Sequence, residues 1–211
     1  MPLLKGGFVL VDYVTGAVQR LIPLQYNPET LTRKLQVQGI GPESGPHVDQ
    51  MRLKGPPIET FQFEAELDAT DMLDAGNPLA TASGIQPQLA ALETVIYPTS
   101  TQLQQANAMA QNGTLEIVPM DAPLTLFVWS RDRVVPVKIT EFSITEEMFD
   151  SSLNPIRAKV NLSLRVLTID DIDFSSVAGS IYLTYQQRKE QLAASAPASS
   201  LSVFGLSAVR S

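Results

Sequence analysis

Two stretches of this chain alternate apolar and polar side chains with the period of a β-strand, and this pattern limits the fold more than any other feature. In residues 58–68 the alternation slips once, at Glu59, and is regular from Phe61 onward, whereas residues 156–166 alternate without interruption. A period of two places one face of each strand on a core and the other face in polar surroundings. The sequence therefore predicts a mainly β, α+β fold of antiparallel strands, arranged as a barrel or sandwich.

The polar faces of these two strands carry charges of opposite sign. The acidic side chains of the first and the basic side chains of the second are Glu64, Glu66, Asp68, Arg157, Lys159 and Arg165. Opposite charges across a ladder contribute only about 0.2–1 kcal/mol per pair, and like charges in that position are disfavoured. The charge pattern therefore selects the register and the pairing partner of each strand more than it stabilises the fold.

Two helices are predicted to accompany the strands. Residues 86–97 place Leu89, Leu92 and Ile96 on one helical face, and residues 181–193 form a terminal helix. An Ala- and Ser-rich tail follows this second helix. We therefore divide the chain into a β domain at 1–175 and a C-terminal helix with its tail at 176–211.

The remaining segments are predicted to be shorter strands and one long loop. Further strands are expected at 8–13, 20–26, 114–118, 124–129 and 134–142, and a helical turn at 28–33 is expected after Asn27. The loop at 38–57 contains four glycines and four prolines. Loops longer than about 12–15 residues are usually functional or mobile. This loop is either a plain flexible hairpin tip or an arm that reaches a neighbouring subunit.

Few residues of this chain suit catalysis or metal binding. The chain has no cysteine and one histidine, His47, so it cannot build the common zinc sites or a cysteine nucleophile. It contains no phosphate-binding glycine loop, dinucleotide fingerprint or serine-hydrolase elbow. The acidic runs at 68–71 and 170–173 are interpreted as solvent-facing turns. The sequence therefore predicts no catalytic, cofactor-binding or metal site, and the enzyme alternative is a carboxylate-dependent glycan hydrolase that uses Glu64 or Asp71.

Charge and hydropathy exclude two further classes of function. The formal net charge of −7 disfavours nucleic-acid binding. The longest apolar runs, such as 8–11 and 126–129, are far shorter than the roughly 18–20 residues of a membrane-spanning helix. No export signal is recognised at the N-terminus. We therefore expect no membrane insertion, and a small-ligand β-barrel is a third alternative to weigh.

Several runs of residues resemble the tube and tube-initiator proteins of contractile injection systems, the phage-tail-like particles of bacteria. The runs are YNPETL at 26–31, LDATD at 67–71, PQLAALE at 87–93, PLTLFVWS at 123–130 and the segment 139–166. The resemblance extends over about residues 5–193, and the order and spacing of the runs make it specific. Relatives often continue into a LysM module after the helix that matches residues 185–192, and this chain has an Ala- and Ser-rich tail there instead.

The resemblance implies a tail-tube-like β-barrel that assembles as a homo-hexameric ring. It implies a structural, non-enzymatic tube initiator at the baseplate hub, which adapts a trimeric spike to the hexameric inner tube. The main inner tube subunit is the alternative within this class. The implied location is the bacterial cytoplasm, with incorporation into a particle that is released or membrane-attached.

The resemblance also suggests where subunits and partners meet. The 38–57 loop becomes the arm that contacts a neighbour, and the C-terminal tail becomes a contact for other baseplate proteins. Candidate subunit-interface residues are Arg157, Lys159, Arg165, Glu64, Glu66, Asp68 and His47. No cofactor and no nucleic acid are expected among the partners.

Overall fold

The computed structural model describes residues 3–39, 53–111, 123–197, 199–205 and 207–209. The strands are β1 (Gly7–Val11), β2 (Val18–Pro23), β3 (Thr32–Gln36), β4 (Ile58–Asp68), β5 (Leu124–Ser130), β6 (Arg133–Phe149) and β7 (Pro155–Val166). The helices are α1 (Thr70–Asp74), α2 (Pro78–Ser83), α3 (Gln86–Glu93), α4 (Ser100–Gln111) and α5 (Val177–Ala194), and a 3-10 helix follows at Leu201–Phe204.

One antiparallel sheet of seven strands organises the molecule, in the order β2-β1-β5-β6-β7-β4-β3. The sheet curls on itself, because Phe8 of β1 lies 6.5 Å, centroid to centroid, from Phe63 of β4 although three strands separate β1 from β4 in the sheet. Phe127 of β5 lies within 6 Å of Phe8, Phe61 and Phe63. The aromatic cluster therefore fills the space between the two halves of the curled sheet.

Side-chain amides tie the two halves together where the strands do not. Gln25, just after β2, donates to the carbonyl of Asp68 at 2.6 Å and accepts from its amide at 3.0 Å. Asn27 holds the start of β1 in the same manner, through the Gly6 amide and the Leu4 carbonyl. The Gln25 bonds join the end of β2 to the end of β4 without a ladder between those strands, so the sheet approaches a barrel without closing as one within the described residues.

Helices cover the remaining part of the core. Leu89 and Leu92 of α3 are buried against the sheet, together with Ile85 just before that helix. Tyr182 and Tyr185 of α5 enter the same core cluster. A helix and a sheet each bury one apolar side in this way, which is the usual construction of an α+β domain.

The predicted α+β architecture is confirmed, with one helix against the core at 86–93 and a terminal helix at 177–194. The predicted helical turn at 28–33 is wrong, because β3 begins at Thr32 and the Asn27 side chain binds the β1 end instead of capping a turn. The predicted strand at 114–118 lies outside the described residues.

Candidate assembly surface

The charged residues singled out by the sequence lie on one face of adjacent strands. β4 and β7 pair directly, with Glu66 opposite Lys159 and Asp68 opposite Arg157. Glu64 stands opposite Asn161, and Arg165 stands opposite Thr60. Residues that are directly opposed in a ladder share a face of the sheet. The structure therefore brings six of the seven candidate residues together, and His47 lies outside the described residues.

Several of these charges neutralise one another within the chain. The Arg157 guanidinium donates to Asp68 Oδ2 from Nε at 2.9 Å and from Nη2 at 2.6 Å. Lys159 Nζ lies 3.8 Å from Glu64 Oε1, and Arg165 Nη2 lies 2.7 Å from Asp171 Oδ1. The opposite signs of the two polar faces thus set the β4–β7 register, and a role of these residues between subunits stays a prediction.

The pKa values of one pair reflect this arrangement. The Asp68 pKa is lowered, first by the hydrogen bond from the Thr70 hydroxyl and then by the Thr70 amide and Arg157, while partial burial opposes the shift. The hydrogen bond to Asp68 raises the Arg157 pKa. Both groups therefore stay charged at neutral pH, and the face keeps a fixed pattern of charge.

The sheet leaves four lengths of strand edge without a strand partner among the described residues, one of which is residues 63–68 of β4, because the β3 ladder ends at the Thr32 pair with Gln62. β2 and β3 are the outermost strands of the sheet, so each is paired on one side. β6 is 17 residues long, but its ladder with the shorter β5 extends only as far as the Val137 pair with Thr125. Beyond that pair, β7 is the one strand among the described residues that pairs with residues 138–149 of β6. Such open edges are templates for pairing with another chain.

The base of the predicted arm is ordered as a continuation of the β3–β4 hairpin. Gly39 and Leu53 form an antiparallel bridge, and the Lys54 amide donates to the Gln38 carbonyl at 2.9 Å. The Gln38 side chain also donates to the Pro56 carbonyl. The segment 40–52 between these anchors lies outside the described residues. The predicted arm therefore starts from the β3 margin of the sheet.

A buried carboxylate that the sequence did not single out joins the sheet to α5. Glu59 of β4 is only 2% exposed, and Tyr185 donates to its Oε1 at 2.8 Å. Lys189 Nζ lies 3.0 Å from its Oε2, and Arg33 Nε of β3 lies 3.6 Å from its Oε1. The sequence does hold a signal for this buried site, because Glu59 interrupts the apolar positions of β4 and an acid that faces the core requires partners.

The described residues do not assemble a centre for metal chemistry. No group of three or more histidine, cysteine, aspartate or glutamate side chains suited to a metal ion occurs among them. The 170–173 run instead supports the fold. Asp171 forms an ion pair with Arg165, and Asp173 accepts hydrogen bonds from the Ser175 amide and hydroxyl. Within the described chain, no helix is long and apolar enough to cross a membrane.

Comparison with known proteins points to one family. A family model described as contractile injection system tube protein matches residues 12–172, which include all of β2 to β7. A search of curated proteins gives no match. The match ends before α5 and the tail, so both lie beyond the part of the chain that resembles the family model.

Proposed function

The chain belongs to the contractile injection system tube protein family, and on that premise we propose that it forms a hexameric ring at the baseplate. In this role it is a tube initiator and symmetry adaptor, with a trimeric spike protein on one side and the inner tube on the other. The role is structural and non-enzymatic. Assembly occurs in the bacterial cytoplasm, and the ring is then part of a released or membrane-attached particle.

The open edges of the sheet carry this proposal. β3 forms one margin of the polar four-strand region β6-β7-β4-β3, and the unpaired length of β6 forms the other margin. An edge strand of one copy laid on the open edge of the next would satisfy backbone groups that have no strand partner within the described part of the chain. Because the two margins are different surfaces, this contact is head-to-tail and generates a ring when the rotation closes.

This arrangement also gives the charged face of β4 and β7 a position in the ring. If β3 of one copy pairs with β6 of the next, the polar faces of all copies form one continuous surface. The internal ion pairs then keep that surface hydrophilic without binding the subunits to one another. We propose that this surface lines the central channel, and that the arm from the β3–β4 hairpin laps onto a neighbouring copy.

A pair of proline substitutions on β6 tests the edge contact. Thr145 and Glu146 are adjacent, both exposed, and stand opposite Lys159 and Ala158 of β7. Successive amides of a strand point to opposite sides, so one of the two directs its N–H toward β7 and the other toward the open edge. Proline removes that N–H and blocks pairing on its side.

We expect the variant blocked on the open side to stay folded and to lose ring assembly in electron micrographs. The variant blocked on the β7 side serves as the matched control, and it should lose stability in urea. Rings of normal appearance from a folded variant blocked at the open edge would show that subunits meet elsewhere.

The main inner tube subunit is the second candidate, since the family description names a tube protein without further distinction. Stoichiometry separates the two roles. A hub ring is present once per particle, whereas a tube ring is present in many stacked copies. For the initiator, quantitative mass spectrometry of purified particles should therefore give about six copies of this chain per particle. A tube subunit should give a large multiple of six.

The C-terminal segment supports an additional contact with baseplate proteins. Val203 and Phe204 are 70% and 74% exposed, and an Ala- and Ser-rich connection separates them from α5. Large apolar side chains in such a position favour a docking partner. Truncation after Ala194 should leave ring formation intact and reduce retention of the ring on the assembled baseplate.

A further inference from the structure

A row of basic side chains crosses the polar face near the base of the arm. Register places Lys34 of β3 opposite Thr60, Thr60 opposite Arg165, and Arg165 opposite Lys138 of β6. The row therefore spans four strands, or about 14 Å at the usual strand spacing. Lys34 and Lys138 are exposed, and the Arg165 side chain is 39% exposed.

The described residues neutralise only part of this row. Arg165 pairs with Asp171, but within the described residues neither Lys34 nor Lys138 has an acidic partner. Lys138 faces Arg165 directly across the β6–β7 ladder, and like charges in that position destabilise a sheet. The arrangement therefore does not stabilise the subunit, and an external anion would relieve the repulsion.

The surface beside the row is polar and changes sign. A depression of about 370 Å³ adjoins it, lined by hydroxyl and amide side chains that include Thr32, Gln62 and Asn161. Carboxylates follow further along the face, at Glu64 and Glu141, which also line this depression. A long polyanion lying along the strands would meet these acids, whereas a short acidic segment lying across the strands meets fewer of them.

We propose that this row, Lys34 with Arg165 and Lys138, binds a short acidic segment of a polypeptide that occupies the channel. An extended peptide advances about 3.3 Å per residue, so acids four residues apart are separated by about 13 Å and reach from Lys34 to Lys138, with a third acid between them for Arg165. The position of the row inside a channel rests on the proposed ring. The recognition of acidic peptide by the row is a property of each subunit.

A binding experiment on the full chain tests this proposal. The probe is a fluorescein-labelled twelve-residue peptide of alternating Glu and Ser, with a Gln and Ser peptide as its neutral control. Binding is followed by fluorescence anisotropy at about 50 mM and about 300 mM salt, since screening weakens such contacts strongly over that range. A twelve-nucleotide thymidine oligonucleotide tests the nucleic-acid alternative.

The variants are matched for charge. In the K34Q/K138Q variant the two unneutralised lysines of the row are removed. In the K5Q/R131Q variant the same charge is removed at Lys5 before β1 and at Arg131 in the β5–β6 turn, away from the row. We expect at least about tenfold weaker peptide binding for the first variant and less than about twofold for the second. The neutral peptide and the oligonucleotide should bind neither the unaltered chain nor the two variants.

Three results would overturn the proposal: no binding of the acidic peptide, an equal loss in both variants, or tighter binding of the oligonucleotide than of the peptide. Electron micrographs of the same samples separate this proposal from the ring. Rings without peptide binding would reject the basic row and keep the proposed function. Peptide binding that is lost in K34Q/K138Q but occurs without rings would reject the ring and keep the row.

Discussion

Glu59 shows at the scale of single residues how this chain keeps a charge inside its core. Its carboxylate accepts from Tyr185 and lies near Lys189 and Arg33, so that α5 and β3 both contact one residue of β4. Lys189 also lies over the Tyr185 ring, 3.9 Å from the centroid. A buried carboxylate is tolerated only when its oxygens are satisfied in this way. The position of α5 on the sheet therefore depends on a few specific bonds.

Removal of one donor to Glu59 should be measurable. In Tyr185→Phe the hydroxyl that donates at 2.8 Å is lost, while the ring still fills its place. We expect the free energy of unfolding to fall by about 1–3 kcal/mol, as for other bonds to buried charged groups. Urea denaturation measures the change. Tyr97→Phe is the matched control, because Tyr97 is 66% exposed and should change stability by less than about 0.5 kcal/mol.

The same tyrosine predicts an alkaline limit of stability. Burial, and then the bond to Glu59, raise the Tyr185 pKa above its usual value, and burial raises the Tyr182 pKa as well. A raised pKa means that the folded state favours the neutral phenol. This stability is complete below about pH 10, the pKa of an unfolded tyrosine, and is lost as the pH rises toward the folded pKa.

We therefore expect the free energy of unfolding to decline from about pH 10 upward, with a shallower decline in Tyr185→Phe than in the unaltered chain. Urea titrations between about pH 8 and pH 11 measure both slopes. Equal slopes for the two proteins would show that Tyr185 does not carry the effect.

At the scale of elements, the tip of the β6–β7 hairpin is fixed by the turn between α2 and α3. Gly84 has φ +58, and a Cβ at this position would lie 2.1 Å from the Pro155 carbonyl oxygen, which accepts from the Ile85 amide. Asn154 also donates to the Ala82 carbonyl. The close approach of the two backbones requires glycine, and it holds the tip of the long hairpin against the helices.

Gly84→Ala should therefore be much more damaging than Gly76→Ala. Gly76 also has a positive φ, +66, but a Cβ there meets nothing within 4 Å among the described residues. We expect about 1–2 kcal/mol for the strained backbone at Gly76, and roughly 1–3 kcal/mol more at Gly84 for the overlap. The midpoints of urea unfolding measure the difference, and similar midpoints would contradict the close approach.

The ladder between β4 and β7 allows the internal and external roles of its charges to be separated. Lys159→Glu places a carboxylate opposite Glu66 and near Glu64, and should cost about 0.5–1 kcal/mol. The exchange E66K/K159E restores opposite charges and should recover most of that stability. The interpretation of Arg157 and Lys159 as interface residues predicts that R157E/K159E folds but forms no rings, whereas a channel-lining face predicts that rings still form. Normal rings from E66K/K159E together with failed rings from R157E/K159E would attribute that failure to lost pairing within the subunit.

The long alternating strands were predictable because their pattern repeats over many residues, as in β4 and β7. β3 was missed because all five of its residues are exposed and show no alternation of burial. The short helices α1 and α2 follow β4 directly and are fixed by packing and by the Asn77 cap more than by a long apolar pattern. The sequence predicted that the six charged residues of these strands pair across a ladder, but only the structure shows which atoms meet, and that Arg165 pairs with Asp171 outside the set.

At the scale of the whole molecule, the contacts that fold the subunit are distinct from the strand edges that we propose join it to other copies. The aromatic core and the Gln25 and Asn27 bonds stabilise the subunit on its own. The edges of β3 and β6, by contrast, have no strand partner among the described residues, and we propose that another copy supplies it. The proposed pairing of these two margins agrees with membership of a tube protein family.

Cryo-electron microscopy of the purified protein, alone and together with the spike and tube components of its particle, tests this account most directly. The account predicts sixfold rings in which β3 of one copy pairs with the open edge of β6 in the next and the β4–β7 face is directed to the channel. Dispersed monomers in every mixture, or rings whose β4–β7 faces point outward, would contradict it.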